Sequence, residues 1–193
     1  MKIDIRLLTK AADELLPTLT NPRHRAIIAN YRKHAMLEVS GRYEEILAPD
    51  MTVEVPDYYL HSPSGSVHIQ GWDGVHDLYK SLVDTDSTVM LLLDEVIAVG
   101  DWGFSSEATY LTWMPGSTVL LRGGQVDDLD AIYIETTTKS MQWRYDERAR
   151  MIGEHVYSSG GTYRLCPADE LLTRAEVRDI FAPIIETADL LAA

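Results

Sequence analysis

In the run "YRKHAMLE", Tyr31, His34 and Glu38 stand three and four positions apart, with Ile27 and Ala35 in the same register. On a helix that spacing puts all five on one side. A neutral histidine there relays protons near pH 7, and a tyrosine hydroxyl donates to a developing oxyanion. The competing reading is a core histidine bonded to backbone beside a packed tyrosine. A second cluster follows in "TVEVPDYYLHSP". Thr52, Val53 and Val55 have strand character, and Pro56 interrupts a ladder because it has no N–H. Asp57, Tyr58, Tyr59 and His61 then fall within five positions. If the chain stays extended past Pro56, Asp57, Tyr59 and His61 share a parity and form a rim that positions and deprotonates a substrate. The alternative is an Asx-type turn with aromatic cover.

Other chemistries lack their signatures. There is no HxH, HExxH or Cys–His spacing, so no metal is expected. No phosphate loop, GxSxG or dinucleotide fingerprint occurs either. His24, His68 and His76 fall on exposed-looking positions. The single cysteine, Cys166, excludes an intramolecular disulfide and fits a reducing, cytoplasmic setting. A net charge of −13 spread along the 193 residues argues against nucleic acid and anionic membranes. No apolar run reaches the roughly 20 residues of a membrane span, and the charged N-terminus has no signal-peptide core. A neutral, small hydrophobic molecule is a compatible ligand.

The elements that must carry these residues follow from local signals. A short helix is expected around Thr9 to Leu16. A longer one follows, with Asn21 as N-cap, Pro22 at its first position and Gly41 after its end. "RYEEILAP" predicts a short helix, "DMTVEV" and "GSVHIQG" predict strands, and "WDGVHDLYKSLVD" a helix with Val75, Leu78, Tyr79 and Leu82 as its apolar stripe. The period then changes. "STVMLLLDEVIAV" and "GFSSEATYLTWM" are long strands joined by "GDWG". "DAIYIETTTKSMQWRYD" and "RMIGEHVYSS" are two more. "GSTVLLRGGQVDDLD" has the look of a flexible loop, a lid or an exposed connection. A last helix has a capping box at Thr173 and Glu176 and an apolar face of Leu172, Val177, Ile180, Phe181, Ile184 and Ile185. Pro183 should kink or end it.

The order helix, helix, strand, helix, four-stranded meander predicts an α+β fold with helices on one face of a curved, mainly antiparallel sheet. In "SGRYEEILAPDMTVEVP", "IQGWDGVHDLYKSL", "VIAVGDWGFSSEATYLTW" and "MQWRYDERARMIGEHVY" the chain resembles the nuclear transport factor 2-like (NTF2-like) superfamily, and within it the SnoaL-like group. The resemblance implies a cone around a deep apolar pocket in residues 22–159. Residues 1–21 are then an N-terminal extension and 160–193 a C-terminal helical one. Members include polyketide cyclases, ketosteroid isomerases and scytalone dehydratases, mostly without cofactors. The fold also serves non-catalytic subunits, so it does not by itself give a function.

Carried over residue by residue, the ketosteroid isomerase pattern puts its base on Val55, its second acid on Met141 and its helical tyrosine near His34, so all three roles are lost. The acid that SnoaL-type cyclases carry near the end of the last strand falls on Ser or Gly in "EHVYSSGG". Matching the last strands to the family pattern instead turns Ile152, Glu154, Val156 and Ser158 toward the pocket, with Met141, Trp143 and Tyr145. The same match turns Glu107, Thr109, Leu111 and Trp113 inward. A carboxylate inside an apolar cone has a raised pKa and acts as acid or base. For Glu154 the alternative is an ion pair with Arg144 or exposure to solvent.

The resemblance thus implies a cofactor-independent lyase or isomerase. It would dehydrate, isomerise, cyclise or cleave by a retro-aldol step a small hydrophobic, aromatic or polyketide-like molecule. Tyr31, His34, Asp57, Tyr59 and Glu154 would be catalytic. Met36, His61, Glu107, Trp113, Met141 and Trp143 would bind substrate. The alternatives are a non-catalytic subunit, as in ring-hydroxylating dioxygenases, or a ligand-binding module. Tyr110, Met114 and Ile132, set by parity on the outer face, predict a homo-oligomer, a dimer or trimer.

Overall fold

The structure, a computed structural model, describes residues 3–192. Met1, Lys2 and Ala193, inside the predicted extensions, lie outside the described residues. A 3-10 turn, Ile5–Thr9, leads into α1 (Lys10–Leu15). The signals around α2 (Pro22–Val39) act as predicted. The Asn21 side chain accepts from the Arg23 N–H at 2.9 Å, and Pro22 sits in the first turn. At the other end Gly41 adopts φ 68°, and Gly41 and Arg42 donate backward to the carbonyls of Glu38 and Leu37. This is a Schellman closure, which the absent Cβ of glycine permits. Ile27, Ile28, Tyr31, His34, Met36, Leu37 and Val39 are all buried, because α2 is covered on more than one side. Tyr31 packs on Phe104 and Trp143 of the sheet, and α6 covers α2 from elsewhere.

After α3 (Tyr43–Ile46) the predicted strand "DMTVEV" does not form. Only Thr52 bridges to Met151, and Val55 is exposed. The strand begins after Pro56 instead, as β1 (Asp57–Ser62), paired with β2 (Gly65–Gln70). α4 (Trp72–Asp84) buries Val75 and Tyr79 with Leu78 and Leu82 packed beside them. Then come β3 (Met90–Gly100), β4 (Gly103–Pro115), α5 (Gly116–Leu121), β5 (Ile132–Tyr145), β6 (Met151–Ser158) and β7 (Thr162–Leu165). α5 replaces part of the connection expected to be a flexible loop, and β7 falls in the segment expected to be a helical extension. The sheet order is β2-β1-β6-β5-β4-β3, with β7 on β5. It is curved and unclosed, and mixed, since β1 runs parallel to β6 while the other pairs are antiparallel.

α6 (Arg174–Ala192) starts at the predicted capping box, where Thr173 N–H donates to Glu176 Oε2 and Glu176 N–H to Thr173 Oγ1. It continues through Pro183 rather than ending there. Pro183 and Asp179 are both exposed, so the carbonyl that the proline frees faces water. Leu172, Val177, Phe181 and Ile185 join the main core.

Parity on β4 is the reverse of the prediction. Its buried set is Phe104, Ser106, Ala108, Tyr110 and Thr112, and Glu107 is exposed. The β5 register explains it, because Phe104, Ser106 and Tyr110 sit opposite Trp143, Met141 and Thr137 on the same face. Tyr110 therefore points inward and Met114 packs with Val119 and Tyr133 in a second small core. Ile132 is half-buried against the main core. The three residues do not form the exposed apolar face that predicted self-association.

Candidate functional site

The inner faces of β3–β6 with α2 and α4 bound a cavity of about 680 Å³. Leu8, Leu60, Leu78, Leu82, Leu92 and Val156 give it apolar walls, and the β1–β2 turn with residues 158–161 forms part of its lining. Its polar groups fall into sets set by the elements that carry them.

The first hangs from α2. His34 is buried, and its Nε2 lies 3.1 Å from the Tyr79 hydroxyl and 3.3 Å from Glu38 Oε2. Tyr79 is 2.9 Å from the Tyr58 hydroxyl, which lies 3.6 Å from Met151 Sδ. One proton arrangement satisfies this chain. His34 Nε2–H is shared between Tyr79 and Glu38, Tyr79 donates to Tyr58, and Tyr58 donates to the thioether. That leaves His34 Nδ1 as the basic nitrogen, and it is buried without a partner. Trp143, against which the His34 ring packs edge-on at 5.0 Å, also has an unpaired Nε1–H.

The second set hangs from β5 and β6. Glu154 stands directly opposite Trp143 in the ladder and is 8% exposed. Burial, reinforced by the Glu38 charge, pushes its pKa up to about 8 despite the pull of Lys139. No described residue donates to its carboxyl. Lys139, four residue pairs along the ladder on the same face, holds Nζ 4.3 Å from the Tyr110 ring centroid. Desolvation depresses its pKa against the opposing charges of Glu38, Glu154 and Glu135. Tyr110 in turn donates to Met141 Sδ. A third set lies elsewhere on the lining, where Glu135 accepts from Arg122 at 3.1 Å and Tyr163 at 2.8 Å.

From the cavity lining, Tyr31 donates to Glu95 at 2.6 Å. Glu95 reaches inward because β3 is bulged. Asp94 takes φ 53°, and the register to β4 slips between Leu93 and Val96. Burial pushes the Glu95 pKa up to about 7, against the opposing effect of bonds from Tyr31 and Ser106.

Of the residues singled out from the sequence, Tyr31, His34, His61, Met141, Trp143 and Glu154 line the cavity. Five do not. Asp57 and Tyr59 lie on the other face of the sheet, since the strand starts at Asp57 and turns Tyr58 and Leu60 inward. Burial opposes ionisation of Asp57, but bonds from His68 (2.7 Å) and Arg144 (3.0 Å) outweigh it and hold its carboxyl below the usual range. Tyr59 stacks on His68 at 4.1 Å. Glu107 is exposed on β4. Met36, on α2, is core, and Trp113 is buried with Nε1 donating to the Glu170 carbonyl. His61 lies at the cavity edge, bonded to Ser66 and stacked on Tyr157. Cys166 is half-buried, and burial pushes its thiol up, away from the reactive range.

Glu38, Tyr58, Tyr79, Glu95, Tyr110 and Lys139 are site groups the sequence reasoning left out of the site. Glu38 and Tyr79 stood on the predicted faces of their helices. The signal for Glu95 was the pair "DE" inside an apolar strand, where alternation must turn one acid inward or break. Among the described residues no group of three His, Cys, Asp or Glu side chains is arranged to hold a metal ion, and no helix is long and apolar enough to cross a membrane. The geometry defines an α+β cavity protein with buried acid–base groups. Neither family models nor curated proteins match the sequence.

Proposed function

We propose that the chain is an NTF2-like, SnoaL-like cone working as a cofactor-independent acid–base enzyme of the lyase or isomerase type. Its substrate is a small hydrophobic molecule carrying a carbonyl or hydroxyl. The observation that carries this reading is the Glu154 carboxyl, buried and pushed up to about 8, lining the same cavity as the His34–Glu38 pair. A carboxyl with that pKa is mostly protonated at pH 7 and serves as general acid. His34 Nδ1 is the complementary base, and Glu38 stabilises the imidazolium that forms. The unpaired Trp143 Nε1–H supports a polar substrate atom beside that pair. Dehydration, isomerisation and retro-aldol cleavage each need one proton removed and one delivered across such a pair.

The test incubates the purified chain with a panel of aryl β-hydroxy ketones and enones and follows products by mass spectrometry. Turnover that drops in Glu154→Gln and His34→Ala supports the reading. Thermal stabilisation by the same compounds without turnover replaces it with a ligand-binding module.

A further inference from the structure

Lys139 has no role in the proton transfers above, yet it lines the same cavity. Its amine has no carboxylate within ion-pair distance among the described residues and rests over the Tyr110 ring at 4.3 Å. The other described lysines are placed differently. Lys10 and Lys80 are exposed and paired with Glu14 and Asp84, and Lys33 lies outside the cavity.

We infer that Lys139 is an imine-forming nucleophile for the carbonyl group of an apolar aldehyde or ketone bound in this cavity. The inference rests on the acid–base reading, because an imine needs a proton donor nearby. Here Glu154 on β6, Glu38 on α2, Glu135 on β5 and Arg122 after α5 are the charged groups that act on the amine. Burial beside the Tyr110 ring desolvates the amine and outweighs the pull of these carboxylates, and the neutral form is the nucleophile. Its nitrogen lone pair attacks the carbonyl carbon, a C–N bond forms, and the C=O π electrons go to oxygen. A proton passes from nitrogen to that oxygen, giving a carbinolamine. Protonation of its hydroxyl by Glu154 expels water and leaves an iminium ion. That ion is an electron sink for breaking an adjacent C–C or C–H bond, and water hydrolyses it afterward. No external oxidant or reductant takes part. An anion clamp is the weaker assignment for Lys139, since Glu38, Glu135 and Glu154 already crowd the cavity with acidic groups.

The test uses 1-phenylbutane-1,3-dione, an apolar diketone that condenses with a neutral amine to a conjugated enaminone. The intact chain is incubated with it at pH 7, and the adduct is read by whole-protein mass, as one diketone less one water, and by peptide mapping. The expected result is one adduct on Lys139, formed faster than on the surface lysines, because desolvation holds more of this amine in the neutral form. It should be absent from Lys139→Arg and Lys139→Met variants that keep the wild-type melting temperature. If those variants do not fold, the wild-type peptide map decides alone. No adduct, or adducts only on Lys10, Lys33 or Lys80, overturns the inference. Loss of turnover in Glu154→Gln with Lys139 unmodified would overturn the imine while sparing the acid–base reading. A Lys139 adduct with no turnover of any carbonyl compound would support the imine and remove the reading it was built on.

Discussion

The Tyr31 hydroxyl on α2 and the Glu95 carboxyl on β3 meet at 2.6 Å, so the enclosed helix is bonded to a strand through a bulge. Glu95 titrates near 7 instead of the ordinary 4.5. A folded-state pKa above the unfolded one means the native protein holds the extra proton. The contribution to stability is therefore complete below about 4.5 and is lost as pH rises through 7. Glu95→Gln should flatten the stability–pH curve in that window. At pH 8 it should be more stable than wild type by roughly 1–3 kcal/mol. Parallel curves for the two proteins in chemical denaturation would remove the neutral-carboxyl assignment.

Glu154 gives the kinetic counterpart. As a general acid it is competent below its pKa of about 8, so the rate should fall about tenfold per pH unit above that point. Glu154→Gln should lower kcat by about 10²–10⁴ and abolish the alkaline limb, with little change in KM. A pH profile in which activity rises through 8 would make Glu154 a base instead.

Tyr79 joins His34 to Tyr58, so Tyr79→Phe strips a partner from both buried groups. The expected loss is about 1–3 kcal/mol in urea denaturation. Tyr58→Phe should cost about as much, because it leaves the buried Tyr79 hydroxyl proton without its acceptor. A Tyr58→Phe variant as stable as wild type would contradict the direction of donation assigned to the chain.

Gly153 sits beside Glu154 at φ 154°, and a Cβ there would lie 1.9 Å from the Asp57 carbonyl oxygen. Gly153→Ala should destabilise by more than about 3 kcal/mol, since backbone on β1 must move. Asp57→Asn, on the same contact but outside the cavity, should leave turnover intact. A melting curve for Gly153→Ala that overlays wild type would show that the β1–β6 seam yields easily.

Helix ends were the most legible part of the sequence, because Asn21, Pro22, Gly41 and the Thr173–Glu176 pair act through bonds a few residues long. The inward set on β5 and β6 was also legible, through the alternation of Met141, Trp143 and Tyr145 and through Glu154. β4 was not, because both of its parities are apolar near Leu111, Trp113 and Met114. Trp113 and Met114 are each buried by different neighbours, one under the segment at Glu170 and the other under α5. The intervening α5 also leaves no short hairpin to fix the β4–β5 register. Asp57 and Tyr59 were misplaced for a different reason. Strand parity does not carry across Pro56 when the residues before it never join the ladder.

The parallel seam between β1 and β6 has a kinetic side. It sets Tyr59 beside His155, residues from opposite halves of the chain, whereas β3 through β6 pair with their neighbours in sequence. Closing the long loop costs entropy before any contact across it forms. The meander should therefore assemble first and the β1–β2 hairpin dock late. The cavity would gain its last wall only at the end of folding, and a chain arrested before that step would expose the edge of β6, where an unpaired strand invites another chain.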